Sequence, residues 1–241
     1  LLAASSGGSV VTPERLGNGD EDWRAPGLAF YVDFETVSDI NDDFSRIPLK
    51  GGQTLIFTIG CGHIEDGEWS FSSFTVDRFT EDAEVSIIED WLAHMEAVRR
   101  RLAPGVRQPM VFHWSPAETS FLETSYNSAV MRHPDNQWPE LGWFDFLKRV
   151  MRAEGVRVEG ASGLGLKAVT QVMHARGMVD TVWEEGSMGG LGAMIGGMWC
   201  EQEAKMTGGP AHEIGLMQEI VQYNEIDCKA MMELIHYMRE H

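Results

Sequence analysis

Leu28-Ala29-Phe30-Tyr31-Val32-Asp33-Phe34-Glu35-Thr36 is an apolar run broken by two carboxylates set two residues apart. Its composition and length predict a β-strand. Alternate strand residues share a face, so Asp33 and Glu35 point one way while Val32 and Phe34 point the other. Two like charges about 7 Å apart along one strand repel each other and resist burial. A divalent cation between them turns that repulsion into ligation. The pair gains meaning only if the rest of the chain supplies matching carboxylates.

Working outward, the next elements are a polar loop from Asp39 to Gly52 and two β-rich runs, Thr54 to Cys61 and Trp69 to Val76. The Asp66-Gly67 step between these runs is a hairpin signal. Thr80 is placed to cap a helix whose first turn is acidic and whose apolar positions Ile87, Ile88, Trp91, Leu92 and Met95 recur at helical spacing. Pro109 to His113 reads as a short buried strand, and Ser115-Pro116 opens another helix. Phe144 to Arg152, Leu166 to His174 and the long stretch His212 to Glu240 are expected to be helical. Residues 186–209, dense in Gly and Met, read as a loop followed by a helix. This order predicts an α/β domain with a mixed central β-sheet of about five strands flanked by helices.

Residues 1–26 are rich in Gly, Ser, Asn, Asp and Pro and are expected to be a linker or tail, with residues 27–241 as the folded domain. With no Met at position 1, the chain is read as a C-terminal piece of something longer. No apolar run approaches the roughly 20 residues that a membrane span needs. Cys61, Cys200 and Cys228 form no metal-binding spacing, so a reduced cytoplasmic setting is the expectation.

The formal charge of −18 excludes a surface that coats nucleic acid non-specifically. The distribution is uneven, because Asp145 to Arg176 holds six basic and three acidic residues. Such a strip fits an enzyme gripping a short stretch of polyanion, and fits a solvated helix face almost as well.

Two later segments supply further carboxylates. Glu118, in Ser115-Pro116-Ala117-Glu118, completes a capping box and also stands at the mouth of a sheet. Tyr223 and Asp227 lie four residues apart on one helical face, among Ile220, Val221, Ile226, Met231, Met232 and Ile235. Asp145, flanked by aromatics, is expected to cap the helix after it. Trp114 is expected in the core. His113 is a possible stacking partner for a terminal base, and Lys167 a possible phosphate contact.

Asp33-x-Glu35 on a first strand, an acidic residue followed by x-x-Phe-Leu, and Tyr223-x-x-x-Asp227 near the end resemble the DEDD superfamily of 3′-5′ exonucleases. The tyrosine matches its DEDDy (DnaQ-like) branch. The blocks Val32 to Val37, Gly165-Leu166-Lys167 and Tyr223 to Lys229 are similar to exonuclease domains that follow RecB-family nuclease domains. The likeness spans about residues 28 to 240 and implies an RNase H-like fold. It implies a catalytic set of Asp33, Glu35, Glu118, Tyr223 and Asp227, whose four carboxylates hold two Mg²⁺ or Mn²⁺ ions. The implied substrate is nucleic acid with a 3′ end, single-stranded DNA or RNA, and the implied companion is an N-terminal RecB-like nuclease domain. Glu118 departs from the Asp usual at the second motif. A catalytically silent module that binds nucleic acid or a nuclease partner is the alternative, and a hydrolase of another phosphate ester is a further one.

Overall fold

A computed structural model describes residues 10–17, 21–37, 54–115, 121–184 and 188–240. Glu118 lies outside the described residues. The centre is a five-stranded mixed sheet in the order β4-β3-β2-β5-β6. Its strands are β2 (Ala29–Val37), β3 (Leu55–Glu65), β4 (Glu68–Thr75), β5 (Met110–His113) and β6 (Gly142–Asp145); β1 (Val11–Thr12) pairs separately with β7 (Arg157–Val158). Strands β2, β3 and β4 form an antiparallel meander, whereas β5 and β6 run parallel to β2. The α/β architecture with a mixed sheet is as the sequence predicts.

The hairpin signal holds: Asp66 and Gly67 both adopt positive φ, 52° and 84°, between β3 and β4. So does the cap, with Ala83 N donating to Thr80 Oγ1 over 3.2 Å at the start of α1 (Glu81–Leu102). The further α-helices among the described residues are α2 (Phe121–Arg132), α3 (Leu166–Ala175), α4 (Gly190–Thr207) and α5 (Gly215–Arg239).

One expectation needs correction. The stretch from Phe144 to Arg152 is not one helix. Gly142–Asp145 is the edge strand β6, and a π-helical segment follows at Leu147–Arg152. The aromatic cluster Trp143-Phe144-Asp145-Phe146 fits either period over four residues, and parallel pairing with β5 selects the strand. Asp145 still caps the turn after it, its Oδ1 accepting from Lys148 N at 3.0 Å. In the opening segment, Val11, Leu16 and Trp23 are buried against Phe146, Val156 and Val158. A two-residue strand and a single 3₁₀ turn leave no periodicity for a sequence reading to find.

Apolar residues of β2 divide between two cores. Phe30, Val32 and Phe34 pack with Trp91 and Ile88 of α1 and Leu122 of α2. Tyr31, on the other face, joins Phe112, Trp114 and Phe144 beneath α3 and the C-terminal half of α5. Asp33 and Glu35 share the face of Tyr31 by strand alternation, so α5 is the helix laid across them. Its buried positions Met217, Ile220, Asn224, Cys228, Met231, Ile235 and Met238 recur every three or four residues. Among the described residues, no helix is long and apolar enough to cross a membrane.

Candidate metal centre

Strand β2 delivers its carboxylates where the ladder is irregular. The register with β3 shifts between Glu35 and Thr36, and such a bulge re-aims the neighbouring side chain. Opposite them, α5 presents Asp227. Ligand oxygens of Asp33, Glu35 and Asp227 all lie within 4.8 Å of one another. They line a pocket of about 260 Å³ together with Trp114, Leu122, Leu166, Lys167, Gly190 and Tyr223.

The electrostatics are those of a site short of positive charge. Burial pushes the Asp33 carboxyl up to about 7, against hydrogen bonds from the Phe34 backbone and Asn224. Glu35 is raised well above the usual carboxylate range by burial and then by the charges of Asp33 and Asp227. Asp227 is raised by burial and by Asp33, while Trp183, Lys167 and Tyr223 oppose the shift. Three converging, desolvated carboxylates of this kind fit hard divalent cations such as Mg²⁺ or Mn²⁺, which take oxygen ligands.

Two neighbours that the sequence reading missed hold the carboxylates in place. Asn224, fully buried, donates from Nδ2 to Asp33 Oδ2 at 3.0 Å and also bonds Glu35. Trp183 donates from Nε1 to Asp227 Oδ1 at 2.9 Å. Asn224 stands inside the Tyr223 motif but looks like any polar helix residue, and Trp183 sits 44 positions from its acceptor with no local signal at all. Gly60, paired with Asp33 across the sheet, makes room for the amide, because a Cβ there would overlap Asn224 Oδ1. Gly60→Ala is therefore expected to dislodge Asn224, weaken Mn²⁺ uptake about tenfold and cost roughly 1–3 kcal/mol of stability. Calorimetric titration and urea unfolding of that variant check both effects.

The other expected residues divide. Tyr223 lines the pocket and its hydroxyl bonds the Asp227 carboxylate; burial first, then the three acidic neighbours, raises its pKa. Lys167 also lines the pocket, its Nζ 5.8 Å from the Trp183 ring centroid. Trp114 is a core residue, its Nε1 donating to Leu164 O at 3.0 Å, although one edge reaches the pocket. His113 does not reach the site. As the strand neighbour of Trp114 it faces away from the carboxylates, fully buried against the Trp143 ring, with Nδ1 3.0 Å from Ser115 Oγ. Burial lowers its pKa to about 4. A side chain so enclosed cannot stack on a base arriving from solvent.

A sequence profile described as RNase_H superfamily (family RNase_H_2) matches residues 43–239. The chain belongs to the RNase H superfamily. The match includes α5 with Tyr223 and Asp227 and begins shortly after Asp33 and Glu35. RNase H superfamily domains are usually nucleases or related hydrolases, and their fold typically binds divalent metals, in keeping with the acidic cluster. No curated protein and no solved structure gives a significant match.

Proposed function

We propose that this RNase H superfamily chain is a metal-dependent 3′-5′ exonuclease of the DEDDy type, hydrolysing phosphodiester bonds of DNA or RNA. One observation carries the reading: Asp33, Glu35 and Asp227, far apart in sequence, converge within 4.8 Å in a pocket that also holds Tyr223. The three carboxylates would hold the cations, with Glu118 proposed as the fourth ligand from its place in the motif order. Bound divalent ions supply charge neutralisation at the phosphoryl group and a bound water of lowered pKa.

The protein's own groups do the rest. Asn224 and Trp183 fix the directions of Asp33 and Asp227, so the ligand oxygens need little rearrangement. Tyr223, beside Asp227, orients the attacking water through its hydroxyl. Lys167, on the same pocket wall, offers a cation to a substrate phosphate. A polymeric substrate is favoured by the basic strip, since Lys148, Arg149, Arg152, Arg157 and Arg176 are exposed and the sixth member, Lys167, lines the pocket. The RecB-like companion rests on the motif likeness alone.

The test is incubation with 5′-labelled single-stranded DNA and RNA in Mn²⁺. A ladder that shortens stepwise from the 3′ end is the expected result. Intact oligonucleotides under every condition would overturn the exonuclease reading in favour of the silent module.

A further inference from the structure

Helix α4 turns a row of large apolar side chains outward. Leu191 is 64%, Ile195 52%, Trp199 53% and Met206 73% exposed. Their positions, with exposed Gln202 among them, advance by four, four, three and four residues, the spacing of a helix-packing seam. The seam runs about 22 Å along the helix axis. In a chain of formal charge −18, Gly190 to Cys200 carries no charged residue. Farther along, Lys205 is paired with Glu201 at 2.9 Å. The N-terminal two thirds of the seam therefore carries no charge into an approach between two acidic bodies, while half-buried Glu203 flanks Trp199 and Met206 beyond it.

We propose that α4 is the interface of a two-fold homodimer, with α4 packed antiparallel on its counterpart. The seam is self-complementary under that operation. A two-fold axis between positions 198 and 199 sets Leu191 opposite Met206 of the second copy, Ile195 opposite Gln202, and the two Trp199 rings beside each other. Every seam residue therefore meets a seam residue, which is the requirement of an isologous contact. At roughly 200 Å² for a large side chain, the four residues leave about 500 Å² of apolar surface in water per copy. Complete coverage of these side chains in both copies would bury about 1,000 Å², the size at which a specific interface begins. The inference is independent of the proposed catalytic activity, since none of these residues lines the carboxylate pocket.

Light scattering after size exclusion, and sedimentation equilibrium, test it on the 241-residue chain. The expected mass is twice 26.9 kDa, dissociating on dilution. Trp199→Lys is expected to weaken association at least about 100-fold while leaving the circular dichroism unchanged. Gln202→Arg, at an already exposed polar position, serves if the first variant does not fold, and is expected to weaken association in the same direction. A mass of 26.9 kDa for the unaltered chain at the highest concentration reached would overturn the proposal and assign the seam to a different partner. A dimer that persists in both variants would overturn it as well.

Discussion

Replacing Asp33 by Asn is expected to abolish metal-dependent cleavage and, at the same time, to make the metal-free protein more stable at pH 8. Asn preserves the shape and an acceptor oxygen for Asn224 Nδ2, which now bonds Asp33 at 3.0 Å. What it removes is a charge that the fold disfavours. The Asp33 carboxyl is held at about 7 in the folded chain, against an ordinary value of 3.8. A carboxyl raised on folding contributes its full stability below its unfolded pKa and loses it as pH rises through the folded one. The wild-type chain should therefore fall behind the variant progressively from about pH 4 to pH 7, and by about 2–4 kcal/mol at pH 8.

His113, with its lowered pKa, destabilises the fold as pH falls below its ordinary 6.5 toward about 4, but it does so in both proteins and cancels from their difference. Thermal melts of the two proteins at pH 4 and pH 8 without metal read the effect directly. Mn²⁺ should then restore the wild-type chain at pH 8 and leave the variant unmoved. Equal melts at both pH values would show that Asp33 is not strained by its surroundings.

The second large effect is expected at Glu84, which does not line the pocket. This carboxylate is fully buried where the first turn of α1 meets β3 and the end of α2. Its oxygens accept from Ile56 N at 2.8 Å, from Arg132 Nη2 at 2.8 Å and Nε at 3.0 Å, and lie 3.0 Å from His133 Nε2. Arg132 also donates to Thr54 O at 3.2 Å. Removing one partner of such a pair leaves the other charge buried and uncompensated, at a cost of about 3–5 kcal/mol. Glu84→Ala should lose that much in urea unfolding and melt roughly 10 °C lower. The cluster anchors α2, which carries Leu122 into the pocket wall, so the loss should also loosen the site from behind. A change below about 1 kcal/mol would mean that water reaches the pair and screens it.

How much was readable from the sequence follows the range of the forces involved. The strand with Asp33 and Glu35 and the helix with Tyr223 and Asp227 were legible because periods of two and 3.6 are local properties of the chain. Their convergence was legible only as an electrostatic demand, that stranded acidic groups need one another and a cation. The groups that hold them were not legible. Trp183 acquires its role through a contact between a loop and α5, and Gly60 through a cross-strand pairing that brings it opposite Asp33 and under Asn224. Glu84 gave no hint beyond an acidic first turn, which a helix dipole explains equally well. His113 shows the converse limit, since the sequence does not display that alternation buries it on the face opposite the carboxylates.

The central claim is that Asp33, Glu35 and Asp227 form one centre for divalent metal. Calorimetric titration of Mn²⁺ into the wild-type chain and the Asp33→Asn variant, side by side at pH 8, tests it most directly. Saturable uptake by the wild-type chain that is lost in the variant is the predicted result. No saturable uptake by the wild-type chain, or uptake of equal strength in both, would contradict it.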